Sequence, residues 1–520
     1  MADPGGTDLS ILTRSPSWRV VALVVGAYAG LVLLRPVQFW FDDPWFYLEI
    51  ARHVLNGDGV TFSGLGWTNG YHPLWLAVVV PLLGFARLTG LGAPHVVVLV
   101  QAGLAFGVGM LLPRLSRQAG LPHPALSLGV GAITLLGAGL WGSEGWLDAV
   151  LQLAGFSLWL GACADRVPAS RWALAGAVLG LAVLARLDLV FVGAAVCVAT
   201  VLRSDVAVRD RVRDVLWLGG TFTLVLLPYL LANWIGTHHL VPVSGTVKST
   251  FPVPDLHGVG AKLGVGGRNA LIGGLLALGL GLRRRGAARL LLGAVGGGAL
   301  AHGLYVAVFT GPLWSTDYDY YWVTGLLALS LSAGPLFALV TRLLPSFDDR
   351  ARTRIGAVLG VLLALLGLIR TGVRAVGPTP PTVALGRWLA ANLPPDAVVF
   401  TADAPGRLAW FSGHPVVAAD GLTWGFDFSD TLRREGLAGW LDGLGTSYVV
   451  APQFPYEVPW LHNVPEPDRI AMTVRDPWTG TAVGTLELPL DDALVSTATL
   501  VPGAGTDDVV GVWAYPPSSH

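Results

Sequence analysis

Long apolar runs, separated by short polar connections, occupy most of this chain. They lie at roughly 18–35, 73–90, 94–112, 125–141, 147–164, 172–185, 189–203, 214–233, 268–282, 287–309, 321–341 and 355–371. In helical form, runs of this length match or approach the thickness of a bilayer's hydrocarbon core. Because backbone polar groups must be paired within a bilayer, the pattern predicts a mainly α-helical, polytopic membrane protein.

Composition agrees with a membrane-embedded chain and argues against other classes. The 520 residues are 53% hydrophobic and only 13% charged, against about 25% charged in soluble domains. A net charge of −1 gives no electrostatic basis for nucleic-acid binding. Both cysteines, Cys163 and Cys197, lie in apolar runs, which argues against a disulfide framework. We therefore expect membrane lipids, and no nucleic acid, among the partners.

The composition changes after about residue 374, where prolines cluster at 378, 380 and 381. Short helix-like and strand-like patterns then alternate, at Thr382–Asn392, Val398–Thr401, Pro415–Ala419, Thr431–Asp442 and Tyr448–Ala451. The sequence thus predicts a multi-span module over 1–373, with an external loop at 36–72, followed by a soluble α/β domain over 374–520.

Arginine-rich connections orient the spans. They contain Arg14, Arg19, Arg114, Arg117, Arg166, Arg171, Arg203, Arg209, Arg211, Arg213, Arg283, Arg284, Arg285, Arg289, Arg342, Arg350, Arg352 and Arg354. The positive-inside rule places all of them in the cytoplasm. This works only if 73–112 makes one net crossing, and Pro81 marks 73–90 as the interfacial or re-entrant segment. We expect 11 spans in a bacterial plasma membrane, with the N-terminus cytoplasmic and the C-terminal domain outside.

This topology brings polar residues from many connections to the external side. They are Asp42, Asp43, Glu144, Asp188, Lys248, Asp317 and Asp319. Polar groups at the ends of apolar helices are costly and tend to be functional, so an external active site is expected.

The adjacent carboxylates Asp42 and Asp43 follow the first span directly. Pro44 suits a helix start, which makes Asp43 a natural N-cap. That structural role would leave Asp42 freer to take a proton from a hydroxyl, as a general base does. The following stretch, Trp45–Val54, reads as an amphipathic helix in the membrane interface.

The ordered motifs resemble the GT-C glycosyltransferases, and within them the actinobacterial arabinofuranosyltransferase-like branch. The resemblance is carried by the acidic pair with Asn-Gly-Tyr-His-Pro-Leu-Trp at 69–75, Gly-Ser-Glu-Gly at 142–145, Leu-Ala-Arg-Leu-Asp at 184–188, Asn-Trp-Ile-Gly at 233–236, Pro-Val-Ser-Gly-Thr-Val-Lys at 242–248, and in the tail Trp-Leu at 388–389 and Ala-Asp-Gly-Leu at 419–422. It implies a polyprenyl-phosphate sugar donor and transfer to a glycan or lipid acceptor of the cell envelope, with arabinofuranose as one candidate sugar.

Site residues follow from the resemblance together with their chemistry. Asp42 and Asp43 would be catalytic, and Arg186 and Lys248 would hold the donor phosphate. The substrate-binding set would be Asn69, Tyr71, His72, Glu144, Asp188, Asp317 and Tyr320. No cofactor is expected, although the spacing of Asp317 and Asp319 leaves a divalent cation open.

Structural roles remain open for several of these residues. Arg186 could anchor a helix end through an ion pair with Asp188, and Lys248 could be a solvated loop charge. Glu144 could stabilise the next helix through its first turn, and His72 could be a capping or interfacial residue. Asp317 and Asp319 could belong to an interfacial aromatic belt. For the whole chain, a lipid or glycolipid transporter or flippase is the competing function, although no internal repeat is visible.

The predicted topology can be tested with reporter fusions. A reporter joined after Pro381 should be active only if it requires export, because this position lies outside the cytoplasm. Activity of a cytoplasm-specific reporter at the same position would contradict the topology and the external site. A fusion in the arginine-rich connection at 283–289 is the opposite control.

Overall fold

A computed structural model describes residues 18–136, 140–164, 167–311, 319–343, 348–477, 479–501 and 509–516. The α-helices described before residue 376 are α1 Trp18–Leu34, α2 Asp43–Asn56, α3 Pro73–Thr89, α4 Ala93–Gln118, α5 Pro124–Gly131, α6 Gly145–Ala164, α7 Ala169–Ala185, α8 Val190–Val201, α9 Val208–Thr237, α10 Val243–Lys248, α11 Val259–Leu282, α12 Gly286–Phe309, α13 Val323–Thr341 and α14 Asp349–Ala375. A π-helical segment, Ala132–Leu136, continues α5.

Within the described ranges, seven helices are long and apolar enough to cross a membrane. They are α4, α6, α9, α11, α12, α14 and the segment Tyr320–Thr341 that contains α13. Five more apolar helices are shorter: α1, α3, α7, the segment Pro124–Leu136 and the segment Leu187–Val201. The polytopic helical architecture predicted from the apolar runs is confirmed.

The helix α3 does not run the length of the bundle. Gln101, only eight residues into α4, already lies at the end of the bundle that holds α2, because its amide donates to the Ser143 carbonyl at 2.7 Å. At the far end of α4, Gln118 donates to the Ser157 carbonyl, well along α6. Both ends of α3 therefore lie near the end where α2 begins, the Asp43 end of the bundle. This agrees with leaving 73–90 out of the expected 11 crossings.

Glycine allows the spans to approach closely. A Cβ on Gly176 of α7 would lie 2.0 Å from the Leu218 carbonyl oxygen of α9, so no larger residue fits without separating the two helices. At the crossing of α5 and α14, Gly129 faces Gly360 in the same way, with 2.4 Å to its backbone. Close backbone contact of this kind supplies van der Waals packing where the surrounding lipid removes the hydrophobic driving force.

The C-terminal part contains two sheets and four described helices: α15 Pro381–Asn392, α16 Pro405–Ser412, α17 Phe428–Gly443 and α18 Thr497–Leu500. The strands are β1 Val398–Thr401, β2 Val416–Ala418, β3 Thr446–Pro452, β4 Tyr456–Val458, β5 Leu461–Pro465, β6 Arg469–Arg475, β7 Ala482–Pro489, β8 Val495–Ser496 and β9 Val510–Ala514. One sheet has the order β2-β1-β3-β9-β8, with β1 parallel to β2 and β3; the other is antiparallel, in the order β4-β5-β6-β7.

The predicted α/β character of this part is confirmed, and five of its elements match the sequence patterns. The antiparallel sheet was not predicted. Its first strand, β4, has only three residues and shows no periodic pattern, whereas β6 alternates buried and less buried positions over seven residues, a pattern that was not recognised in the sequence. The two parts of the chain share one buried core, in which Leu385, Val399 and Leu408 pack together with residues of the spans. The C-terminal domain is therefore docked on the membrane part.

Candidate active site

Seven segments, distant in the sequence, line one open cleft of about 540 Å³ at the Asp43 end of the bundle. The lining residues are Asp43, Phe46, Tyr47, Ile50, Gly70, Tyr71, His72, Glu144, Arg186, Ser244, Lys248, Tyr320, Tyr321 and Leu422. Seven of the predicted site residues are in this set. Asp42, Asn69 and Asp188 do not line the cleft, and Asp317 lies outside the described residues.

Arg186 occupies the break between α7 and α8. The helix ends at Ala185, the Arg186 backbone is extended, and a 3-10 turn leads into α8. Nη1 donates to Glu144 Oε1 at 2.5 Å, while Nε and Nη2 donate to Asp188 Oδ2 at 3.1 and 3.0 Å. The guanidinium is buried and must be paired in this way, because an isolated buried charge is very costly. The ion pair with Asp188, considered above as a structural role, is present, and it places Asp188 behind Arg186.

Two histidines lie beside the group formed by Arg186, Glu144 and Asp188. His302 of α12 places Nε2 3.3 Å from Asp188 Oδ2. His72 accepts a hydrogen bond from the Leu187 N–H at Nδ1, at 3.4 Å, and its Nε2 lies 3.7 Å from Glu144 Oε1. Burial, together with the positive charge of Arg186, lowers the pKa of His72 to about 3. The ring is therefore neutral, with its proton on Nε2, facing Glu144.

The two carboxyl groups around Arg186 respond in opposite directions. Burial raises the pKa of Glu144 to about 7, although the charge of Arg186 lowers it. For Asp188, burial also acts to raise the pKa, but Arg186 and His302 outweigh it and hold the pKa below its usual range. Asp188 is thus the permanent counter-ion of Arg186, and Glu144 is a group that can change its protonation near neutral pH.

Lys248 reaches the cleft from the end of α10. Its Nζ donates to the hydroxyl of Tyr321 at 2.8 Å, and the same ring lies 4.4 Å from the Arg186 guanidinium carbon. Burial acts to lower the pKa of Lys248, but the nearby Tyr321 and Asp43 raise it, so the amine stays charged. The cleft therefore holds two cations within reach of one aromatic ring, a suitable place for a phosphate.

The two adjacent aspartates face opposite ways. Asp43 begins α2 and accepts a hydrogen bond from the Tyr320 hydroxyl at 2.6 Å, inside the cleft. The side chain of Asp42 instead accepts the backbone N–H groups of Gly406 and Arg407 at 2.9 and 2.8 Å, in the C-terminal domain. Burial raises the pKa of Asp42 to about 7, against the lowering effect of Arg407 and these two N–H groups.

The predicted capping role of Asp43 is wrong. Asp42 occupies the N-cap position of α2, and neither of the two carboxylates makes a side-chain cap in that helix. Each carboxylate is engaged by donors outside the helix instead: Asp42 by the N–H groups of Gly406 and Arg407, and Asp43 by the Tyr320 hydroxyl. The sequence predicted that one of the two aspartates has a structural role. The structure gives that role to Asp42, through its bonds to the C-terminal domain, and not to Asp43.

Asn69 is buried and joins two other segments of the chain through hydrogen bonds. Its Oδ1 accepts the Val243 N–H at 3.0 Å, and its Nδ2 donates to Asn233 Oδ1 at 3.3 Å. These bonds fix the start of α10 and thereby help to position Lys248. The structural contact explains why an asparagine stands in this motif without a contact to the cleft.

Several cleft residues were not predicted from the sequence. Tyr47 lies one helical turn after Asp43 on α2, so the 3.6-residue period could have indicated it. Ser244, Tyr321 and Leu422 each lie inside or beside a motif noted above. His302, a lone ionisable residue within the apolar run 287–309, was signalled by its cost in a membrane.

The described residues contain no group of three or more His, Cys, Asp or Glu side chains arranged to hold a metal ion. Asp317, one of the two residues that left a divalent cation open, lies outside those residues. The chemistry available in the cleft is that of carboxylates, cations and tyrosine hydroxyls.

No protein-family model matches the chain, and no curated protein matches it either. Solved structures match its fold. The apo oligosaccharyltransferase of Archaeoglobus fulgidus has a TM-score of 0.54 at 13% identity, covering 86% of this chain and 70% of its own. ArnT of Cupriavidus metallidurans, bound to undecaprenyl phosphate, has a TM-score of 0.52 at 17% identity, covering 84% and 92%.

A further match is the oligosaccharyltransferase AglB of Archaeoglobus fulgidus in complex with an inhibitory peptide and a dolichol-phosphate, at a TM-score of 0.50 and 14% identity, covering 85% of this chain and 69% of its own. These proteins are GT-C superfamily members. The fold of this chain, a polytopic helical part followed by a C-terminal domain, is therefore of the GT-C type.

Removing Arg186 should destabilise the protein through the carboxylates left behind. We expect Arg186→Ala to lower the free energy of unfolding by about 3–5 kcal/mol, as for other buried pairs that lose one partner. The loss should be smaller at pH 6 than at pH 8. Glu144, whose folded-state pKa is already raised to about 7, binds a proton more readily in the folded state, so that stability falls as the pH rises.

Thermal unfolding of the purified protein in detergent measures both effects. Arg87→Ala is the matched control, because Arg87 is exposed and bonds only to Asn56 among the contacts described. Equal stability of the Arg186 and Arg87 variants, or an Arg186 variant that becomes more stable at higher pH, would contradict the arrangement.

Proposed function

We propose that this protein is an integral membrane glycosyltransferase that moves a sugar from a polyprenyl-phosphate donor to a glycan or lipid acceptor of the cell envelope. The observation that carries the proposal is the joint presence of Asp43, Arg186 and Lys248 in one open cleft at one end of a membrane-embedded bundle. Transfer from a lipid-linked donor needs a bilayer for the lipid chain, cations for the phosphate and a base for the acceptor hydroxyl. The bundle, the pair Arg186 and Lys248, and Asp43 would supply these in turn. The GT-C type fold agrees with this reaction.

Lys248 is the main phosphate ligand in this proposal. Arg186 gives hydrogen bonds to both Glu144 and Asp188, so much of its charge is already neutralised. Lys248 donates to the Tyr321 hydroxyl and also lines the cleft, so its ammonium group borders the space in which a phosphate would bind. Arg186 adds a second cation beside the same Tyr321 ring. Two of the GT-C type structures contain polyprenyl phosphates, undecaprenyl phosphate in ArnT and a dolichol-phosphate in AglB.

Asp43 acts as the general base. The sequence favoured Asp42, but the Asp42 side chain is engaged with the backbone of the C-terminal domain. Asp43 lines the cleft, and Tyr320 orients its carboxylate through a short hydrogen bond. Asp43 takes the proton of the acceptor hydroxyl as the hydroxyl oxygen attacks the anomeric carbon. The bond from that carbon to the phosphate oxygen breaks, and polyprenyl phosphate leaves with its charge held by the cations.

Displacement in a single step inverts the anomeric centre, because the acceptor oxygen enters opposite the leaving phosphate. One carboxylate is sufficient, since the phosphate leaves without help from an acid; hydrolysis of a glycoside needs a second carboxyl group. Glu144 and His72 border the phosphate side of the cleft. His72 is neutral there, and a neutral ring adds no repulsion or competing charge.

The direction of the protein in the membrane completes the proposal. In the topology predicted from the sequence, the arginine-rich connections lie at the ends of the spans opposite the polar external residues, and the positive-inside rule assigns those ends to the cytoplasm. The cleft and the C-terminal domain then face the outside of a bacterial plasma membrane, and the N-terminus faces the cytoplasm. Arabinofuranose as the transferred sugar stays a prediction of the sequence motifs.

Removing the base should stop turnover without removing the donor. We expect Asp43→Asn to lower kcat by a factor of about 10²–10⁴, the usual contribution of general-base catalysis. Asparagine keeps the size of the side chain and can still accept a hydrogen bond from Tyr320. Transfer assays with purified protein and polyprenyl-phosphate sugars measure kcat, and Asp396→Asn, on the exposed surface of the C-terminal domain, is the control. Near-normal turnover of Asp43→Asn would rule out this mechanism.

Removing the lysine should weaken donor binding. We expect Lys248→Ala to cost about 1.5–3 kcal/mol, the range for a hydrogen bond to a charged group, which corresponds to about 10–150-fold in Kd. Titration with a polyprenyl phosphate gives the affinity directly. Arg283→Ala, which removes an exposed arginine at the opposite end of the bundle, should leave it unchanged. An unaltered affinity in Lys248→Ala would exclude this residue from the phosphate site.

A further inference from the structure

The side chain of Asp42 joins the two parts of the protein. Its Oδ2 accepts the N–H of Gly406 at 2.9 Å, and its Oδ1 accepts the N–H of Arg407 at 2.8 Å. Both N–H groups belong to the first turn of α16, which begins at Pro405. The first turn of a helix has unpaired N–H groups and a partial positive charge, so a carboxylate that accepts two of them makes a strong, directional contact.

A second set of contacts stabilises the same interface between α2 and the C-terminal domain. The Nη2 of Arg407 donates across the interface to the Trp40 carbonyl at 2.9 Å, while its Nη1 donates to the Thr382 hydroxyl within the C-terminal domain, also at 2.9 Å, and so orients the side chain. The two chain segments also approach very closely at Gly406. A Cβ at this position would lie 2.6 Å from the Phe46 ring and 2.8 Å from the Asp42 carbonyl oxygen, so only glycine fits without a shift.

These contacts surround Asp43 in the sequence. Trp40 and Asp42 precede it, and Phe46, which lines the cleft, follows it on the first turn of α2. The C-terminal domain also supplies part of the cleft wall at Leu422. The backbone of Leu422 lies very close to Gly70: a Cβ on Gly70 would be 1.8 Å from the Leu422 carbonyl oxygen. The chain segment that carries Asp43 therefore contacts the C-terminal domain on both sides of this residue.

We propose that Asp42 is a positioning residue: with Gly406 and Arg407 it forms a latch through which the C-terminal domain holds Asp43 in place, so that sugar transfer requires the docked domain. The proposal rests on the function proposed above, with Asp43 as the base. It assigns the two neighbouring carboxylates separate tasks, one in the reaction and one in domain docking. The latch is the set of contacts among Asp42, Trp40, Gly406 and Arg407.

The latch can be opened from the C-terminal side, far from Asp43 in the sequence. Gly406→Ala forces the two segments apart, and Arg407→Met removes the bonds to Trp40 and Thr382 while it keeps the length of the side chain. Asp42→Asn opens the latch from the other side, because its amide group presents N–H donors to one of the two backbone N–H groups. Gly439→Ala is the matched control, since Gly439 is an exposed helical residue of α17 with ordinary space around its Cβ.

Two measurements on the full-length protein are needed. Hydrogen exchange reports docking directly, and we expect faster exchange in α16 for all three latch variants and unchanged exchange for Gly439→Ala. Transfer assays should show a kcat at least tenfold lower in the latch variants, with the Kd for polyprenyl phosphate within about twofold of the unmodified protein.

Other results would overturn the proposal. Full kcat in Gly406→Ala and Arg407→Met, despite faster exchange in α16, would show that docking does not position Asp43. A loss of kcat confined to Asp42→Asn, with full kcat in Gly406→Ala and Arg407→Met, would identify Asp42 as the base. Full activity of Asp43→Asn would overturn the proposed function and with it the catalytic role of the latch. Loss in Asp43→Asn together with full activity in Gly406→Ala and Arg407→Met would overturn the latch alone.

Discussion

The guanidinium of Arg186 is the charge on which the arrangement of the cleft depends. It is buried at the junction of several helices, and a charge in that position is tolerated only with close, hydrogen-bonded partners. Its partners come from both sides: Glu144 at the start of α6, and Asp188, which in turn contacts His302 on α12. The need to pair one cation thus brings three separate spans to a common point. The Tyr321 ring packs against the guanidinium, and its hydroxyl accepts a hydrogen bond from Lys248, so Lys248 is also linked to this group of residues.

The charged residues at the cleft fall into two groups. Arg186 is paired with Glu144 and Asp188, and Lys248 and Asp43 are the groups to which we assign roles in the reaction. Lys248 and Asp43 are hydrogen-bonded to tyrosine hydroxyls at the cleft. In the proposed reaction, a phosphate would meet Lys248 and an acceptor hydroxyl would meet Asp43. Tyrosine suits this position because its hydroxyl can orient either group without removing its charge. The same division of tasks separates Asp43 from Asp42, which the C-terminal domain engages through backbone N–H groups.

Particular residues show where sequence analysis succeeded and where it failed. Glu144 and Lys248 were found because polar residues at the ends of apolar runs are rare and costly, and Arg186 and His72 were found through the motif resemblance. The cleft contains all four. The capping role predicted for Asp43 was wrong, because local capping preferences were weighed without the distant donors of α16 that engage Asp42. Asn69 was misplaced for the same reason: its partner at Val243 lies 174 residues away. No periodicity along the chain carries information about such contacts.

The sequence by itself determined the membrane-embedded helical architecture, the α/β character of the tail and the end of the bundle at which polar groups gather. These follow from hydrophobicity and backbone pairing, which act locally and leave a pattern in every segment. Only the tertiary structure decided which carboxylate faces the cleft, which cation is already neutralised and how the C-terminal domain holds α2. Those outcomes depend on directional hydrogen bonds between segments hundreds of residues apart. A shift of a few ångströms would break such bonds without changing the apolar pattern of the chain.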